Sequence, residues 1–154
     1  MKIIVITGAS DGIGAEMARQ LAAHHRTGAA LVLAARNASA LEAVAQQCRS
    51  AGAQALVVPT DVAEAAQCRA LIDATVGQFG RVDVLINNAG VSAQALLEDV
   101  KTEDLGWYEQ LMRVNHWGAV WCTHAALPHL KAARGQIVAV SSLAGLVGVP
   151  GRTA

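Results

Sequence analysis

Aromatic side chains are scarce in this chain: three tryptophans, one tyrosine and one phenylalanine among 154 residues. So few rings exclude a surface that binds nucleic acid by stacking bases on aromatic platforms. Excess charge is lacking as well. Twelve basic residues balance twelve acidic ones without a cluster of either sign, so neither nucleic acid nor an anionic membrane is an expected partner. No apolar run reaches the ~20 residues that span a bilayer. No leader pattern stands before the first predicted strand, which starts directly after Met1, and a cytoplasmic location is expected. The three cysteines, Cys48, Cys68 and Cys122, lie far apart in sequence with no Cys-x-x-Cys spacing. They are expected to be buried free thiols in a reducing compartment. His24, His25, His116, His124 and His129 have no Glu or Cys at metal spacing beside them, so no metal site is expected.

What the chain has in quantity is apolar surface. At 53% hydrophobic it can bury a substantial core within one domain. Its most informative stretch is the first fourteen residues. The run Ile3-Ile4-Val5-Ile6 leads into Thr7-Gly8-Ala9-Ser10-Asp11-Gly12-Ile13-Gly14, and a helical pattern follows at once. A buried strand turning through a glycine-rich loop into a helix is suited to holding a phosphate. Glycines admit close backbone approach, and the helix N-terminus offers free N–H groups and a partial positive charge. The spacing here is Gly-x-x-x-Gly-x-Gly, not the commoner Gly-x-Gly-x-x-Gly.

Strand and helix patterns alternate along the whole chain. Strands are predicted at 2–7, 30–35, 54–58, 82–86 and 136–140. Helices are predicted at 12–25, 39–51, 64–79 and, as one long stretch, 102–131. Short, continuously apolar strands joined through helices predict a parallel sheet covered on both faces. Right-handed crossovers then make it a doubly wound, three-layer α/β sheet with five strands. No repeat, low-complexity segment or dividing linker interrupts it.

Four further features fall at predicted strand ends, where such a sheet places its ligand. Asp61-Val62 follows the third strand and Asn87-Asn88-Ala89-Gly90 closes the fourth. Asn115 stands within the long helix, and Ser141-Ser142 ends the fifth strand. With Thr7-Gly8-x-x-x-Gly12-x-Gly14, these motifs resemble the short-chain dehydrogenase/reductase family in order and spacing, over all 154 residues. The run Ser141-Ser142-Leu143-Ala144-Gly145 is similar to that of hydroxysteroid-dehydrogenase-like members, without identifying a substrate.

The resemblance implies an oxidoreductase that moves hydride between a nicotinamide cofactor and a small carbonyl or alcohol. In it, Gly8, Ser10, Asp11, Gly12, Ile13 and Gly14 would form the loop around the pyrophosphate. Asp61 would bind adenine with Val62 beside the ring, although Asp also suits an N-cap or turn. Asn87, Ala89 and Gly90 would line the ribose, with Asn88 mainly structural and Asp83 fixing the turn into strand four. The second strand ends in Ala35-Arg36, where NAD enzymes usually carry an acid. A guanidinium can pair with a 2′-phosphate, so NADP is expected over NAD. Against this, Arg36 also reads as a solvated loop residue, and NADP-preferring relatives often carry a basic residue where Asp11 stands.

Ser142 lies 27 positions after Asn115, the separation usual for the family's catalytic Asn and Ser. Ser142 would bond the substrate oxygen, and Asn115 would hold a water in the proton relay at a local break in its helix. Asn115 also reads as a helix residue facing solvent. The family's tyrosine falls thirteen positions after the serine and its lysine four later. No Tyr-x-x-x-Lys occurs in these residues, and Tyr108 is expected to pack on the long helix. Residues 1–154 are therefore expected to form a dinucleotide-binding domain that stops short of the catalytic acid and is inactive by itself. Trp117 and Trp121 are expected in core or subunit packing, and the resemblance implies a homo-oligomer, a dimer or tetramer. The rival reading is a catalytically silent dinucleotide-binding or interaction module. A domain for another nucleotide such as S-adenosylmethionine is disfavoured by Asn87-Asn88-Ala89-Gly90 together with Ser142.

Overall fold

Continuously apolar strands have two faces to bury, and the fold covers both. The computed structural model describes residues 1–149. Strands β1 (Lys2–Thr7), β2 (Ala29–Ala35), β3 (Gln54–Pro59), β4 (Val84–Asn87) and β5 (Gln136–Ala139) form one sheet. Helices α1 (Gly12–His25), α2 (Ala38–Ser50), α3 (Ala65–Phe79), α4 (Gly106–Met112) and α5 (Gly118–Ala133) alternate with them. Every pairing is parallel, in the order β3-β2-β1-β4-β5. This is the three-layer, Rossmann-like arrangement predicted from the strand and helix patterns.

Period-two alternation sorts the core inside each run. Ile4, Ile6, Leu31 and Leu33 face α1 and α2, where Ala15, Ala18, Leu41, Val44 and Cys48 meet them. Ile3, Val5, Ala30 and Val32 face α3 and α5, against Leu71, Ile72, Cys122 and Leu130. Each large aliphatic side chain fully buried this way contributes about 1.5–3 kcal/mol. Local chemistry sets the helix ends. Asp11 Oδ1 accepts from Gly12 N at 2.7 Å to start α1, and Asn37 Oδ1 accepts from Ala40 N at 3.1 Å to start α2. Gly80, at φ 76°, stops α3 in the left-handed conformation that glycine adopts without cost.

Two sequence expectations are corrected. Strand β4 begins at Val84, not Val82; just before it Asp83 ties the turn to the central strand β1, its carboxylate accepting from Ile3 N at 2.8 Å. The single long helix is instead a 3₁₀ turn (Thr102–Asp104), α4, a π-helical turn (Arg113–Trp117) and α5. Residues 101–106 are all exposed, so no packed face supports a helix there. At the π turn Gly118 N donates to Arg113 O, five residues back, which inserts one extra residue into the helix. The cysteines are as expected, and Cys68 and Cys122, far apart in sequence, meet between α3 and α5. All three cysteines are buried and free. Hydrogen bonding to the Cys68 thiol, together with burial, pushes the Cys122 thiol up, so it stays protonated.

Candidate dinucleotide site at the strand ends

The chain leaves β1 toward β2 and β3 on one side, then returns to build β4 and β5 on the other. Loops leaving β1 and β4 therefore diverge, and a crevice opens at their carboxyl ends. A cavity of about 820 Å³ occupies it, within the usual size range of ligand pockets.

The β1–α1 turn forms its floor. Gly8 and Gly12 hold φ angles of 67° and 53°, a region that disfavours any side chain. A Cβ on Gly8 would come within 2.8 Å of Ala89 Cα, and one on Gly14 would overlap the Gly8 carbonyl oxygen. The turn and the β4 loop are thus in direct backbone contact, leaving the cradle open only while these positions stay bare. Two side chains lock that contact. The Thr7 hydroxyl donates to Ile86 O and accepts from Asn88 N and Ala89 N, each at 3.0 Å, which uses its full bonding capacity. Asn88 Nδ2 donates to Thr7 O and Gly8 O at 3.0 and 3.2 Å, the structural role expected of it.

Of the residues predicted from sequence, Gly8, Ser10, Asp11, Gly12, Ile13, Arg36, Asp61, Val62, Ala89 and Gly90 line this cavity. Gly14 does not reach it but packs behind the turn. Asn87 is buried and instead lines a second cavity of about 150 Å³, together with Asn115 and Ser141. Ser142 lines neither; its Oγ accepts from Ala144 N at 3.1 Å and starts a 3₁₀ turn (Leu143–Gly145). An oxygen that accepts in this way keeps its own proton to donate.

Arg36 is exposed at the rim, and among the described residues no carboxylate pairs with it. Asp61 Oδ1 accepts from Ala63 N at 3.0 Å, the turn role weighed for it, and the residue borders the cavity. Val62 is buried, lines both cavities, and is backed by Gly118, where a Cβ would fall 2.9 Å from Val62 Cβ. Asn115 does not point freely to solvent; its amide is bonded to Val91.

Sequence reasoning missed Ala35, Asn37, Thr60, Val91 and Val114 among the lining residues, and Asn88, read as mainly structural, borders the cavity as well. The N-cap pattern at Asn37 was the one available signal. Thr60 reaches the cavity only because its N–H donates to Ala35 O across the ends of β2 and β3. Among the described residues, no group of three or more His, Cys, Asp or Glu stands together to hold a metal. No helix of these residues is long and apolar enough to cross a membrane.

A parallel sheet of this order, with a bare-backbone cradle at its reversal point, defines a Rossmann-type nucleotide-binding domain. The sequence profile described as short chain dehydrogenase matches residues 2–154, and the chain belongs to that family. It is 45% identical over 142 residues to "11-beta-hydroxysteroid dehydrogenase A" of Sesamum indicum, covering 92% of this chain and 39% of that protein. Among solved structures it resembles an alcohol dehydrogenase from Thermococcus sibiricus complexed with 5-hydroxy-NADP, with TM-score 0.87 and 31% identity, over 99% of this chain and 63% of that one. A short chain dehydrogenase/reductase from Burkholderia phymatum in complex with NAD gives TM-score 0.87 and 36% identity, over 98% and 52%. The chain spans less than half the length of the curated relative.

Proposed function

We propose that residues 1–154 are the cofactor-binding domain of an NADP(H)-dependent oxidoreductase acting on a small carbonyl or alcohol. The observation that carries this is the large strand-end cavity with Arg36, and no acid, at the end of β2. Bound NADP(H) supplies or accepts the hydride. Gly8, Ser10, Gly12 and Ile13 receive the pyrophosphate at the start of α1, with Asp11 capping the helix and Gly14 keeping the turn closed from behind. Asp61 and Val62 hold the adenine side; Ala89 and Gly90 line the ribose, and Asn87 braces them from below. Arg36 pairs with the 2′-phosphate.

Ser142 and Asn115 are the catalytic residues of this reading. Ser142 donates its hydroxyl proton toward the substrate oxygen, and Asn115 anchors the π turn beside the proton path. Its side-chain amide is committed to Val91, so a relay water would rest on other atoms of that turn. Residues 1–154 contain no Tyr-x-x-x-Lys, so on this reading no turnover is expected of them expressed alone. A cytoplasmic homo-oligomer is the working assignment for the whole protein, and the stacked rings of Trp117, in the π turn, and Trp121, on α5, suit its subunit contact.

Cofactor choice tests the reading. Titration should show NADPH binding more tightly than NADH. Arg36→Ala should weaken NADPH by about 1.5–3 kcal/mol, the range for a hydrogen bond to a charged group, and leave NADH unchanged. Equal affinities in the unmutated protein overturn the assignment.

A further inference from the structure

Three consecutive backbone positions in the loop after β3 are each held by a side chain. Asp61 N donates to Gln67 Oε1 at 2.8 Å, Cys68 Sγ donates to Val62 O at 3.5 Å, and Arg113 Nη2 donates to Ala63 O at 3.2 Å. Gln67 and Cys68 belong to α3, the helix that this loop leads into. Arg113 opens the π turn, fifty residues further along the chain. Its guanidinium also lies over the Trp121 ring, 5.7 Å from the centroid, and its Nη2 stands 3.9 Å from Glu64 Oε1. At that length the carboxylate adds charge but no hydrogen bond, so the Ala63 carbonyl and the ring fix where the guanidinium sits.

The same turn grips the opposite wall of the crevice, where the Asn115 amide pairs with Val91. Side chains two apart on a helical turn point to roughly opposite sides. Arg113 therefore reaches the loop after β3 while Asn115 reaches the loop after β4. Val114, between them, lines both cavities. Asp61 and Val62 border the larger cavity from one wall and Val91 from the other. The turn is a brace across the crevice, with one side-chain anchor in each wall.

We propose that Arg113 is a positioning residue for the dinucleotide: it ties the loop on the adenine side to the turn that carries Asn115, so that occupancy at one wall is felt at the other. The role rests on the dinucleotide reading of the cavity. Arg113 lines neither cavity, so it acts through the backbone of Asp61, Val62 and Ala63. The other side-chain bonds to these three residues come from α3 and from Asp61 itself. Without Arg113 the loop would follow α3 and lose its link to the turn. The guanidinium is half exposed, so this bond adds little to overall stability.

The whole protein, probed with adenosine 2′,5′-bisphosphate and with ADP, tests the role. Both carry the adenine side of a dinucleotide and no nicotinamide. In the unmutated protein, saturation with the tighter of the two should slow hydrogen exchange at the Val91 amide about fivefold or more, the lower end of ordinary coupling between sites. Arg113→Met keeps an unbranched stem and deletes the donors. Its affinity for the probe should fall about three- to tenfold, the scale of one half-exposed bond from a charged group, and saturation should no longer slow Val91. Glu64→Gln removes the long ion pair, leaves the Ala63 contact and should behave as the unmutated protein. Slowing of Val91 that persists in Arg113→Met, or an unchanged affinity, overturns the role while the dinucleotide reading stands. Faster exchange throughout β1 and β2 in that variant, or an equal loss in Glu64→Gln, overturns it too. If neither probe binds the unmutated protein, the dinucleotide reading falls and the role with it.

Discussion

Asn115 and Val91 are joined by two hydrogen bonds: Oδ1 accepts from Val91 N at 2.8 Å, and Nδ2 donates to Val91 O at 2.9 Å. The side-chain amide pairs with the loop as a neighbouring strand would. The π turn makes this possible, because its extra residue rotates Asn115 out of the helical repeat toward the loop after β4. Gly90 fits beneath, with its Cβ position 3.3 Å from Asn115 Oδ1.

Removing that clamp should loosen the loop without unfolding the domain. Asn115→Leu keeps the volume and deletes two neutral hydrogen bonds, each contributing about 0.5–1.5 kcal/mol. Hydrogen exchange at the Val91 amide should accelerate about tenfold or more, with β1 and β2 amides unchanged. Unaltered Val91 exchange would show that the clamp does not order the loop.

Gly14 should tolerate no side chain. A Cβ there overlaps the Gly8 carbonyl and presses within about 2.5 Å of Asn88 Nδ2, so the cradle must spread. Gly14→Ala should lower NADPH affinity at least tenfold by titration, while Gly77→Ala, in open space on α3, leaves it intact.

Gly118 should set the position of Val62 from behind. Gly118→Ala places a methyl against Val62 Cβ and Cγ2, both at 2.9 Å, and overpacking of this kind costs about 1–3 kcal/mol. Val62 can yield only toward the two cavities it lines. Dinucleotide affinity should therefore fall along with Tm, and Gly118→Ala with Val62→Ala should restore much of both.

Asp83 should make the fold acid-sensitive. Burial by itself would raise its carboxyl, but the Arg81 guanidinium and the Ile3 N–H outweigh burial and hold it below the ordinary range. A carboxyl depressed in the folded state stabilises fully above its unfolded pKa of about 3.9 and loses that contribution as pH falls through the folded value. Arg81 is half exposed, so Asp83→Asn should cost only about 1–2 kcal/mol at neutral pH. Denaturant titrations should find the two proteins converging as pH drops below about 4.

The layered sheet was legible because its cause is local and repeated. Runs such as Ile3–Ile6 and Leu31–Leu33 can be stable only when covered on both faces, and that requirement selects a parallel α/β fold. Glycines at 8, 12 and 14 were legible for the same reason, since side-chain size at a strand–helix turn is written in single residues. The break at Asn115 was expected from the family's pattern, whereas periodicity by itself reads 102–131 as one helix. One inserted residue leaves almost no trace in a 3.6-residue repeat.

The sequence by itself determined the layers, the parallel sheet and the glycine-rich turn, each a consequence of which residues stand next to one another. Only the tertiary structure decided what touches across the crevice: Thr7 with Asn88 and Ala89, Gly118 with Val62, Cys68 with Cys122, Asn115 with Val91. These contacts join segments far apart in the chain, and they depend on register and helix phase to within an ångström. A hydroxyl or amide reads the same in the sequence whether it is saturated, as Thr7 is, or left with an open acceptor among the described residues, as Asn87 is. Burial and neighbouring donors make that difference, and both come into being when the sheet closes.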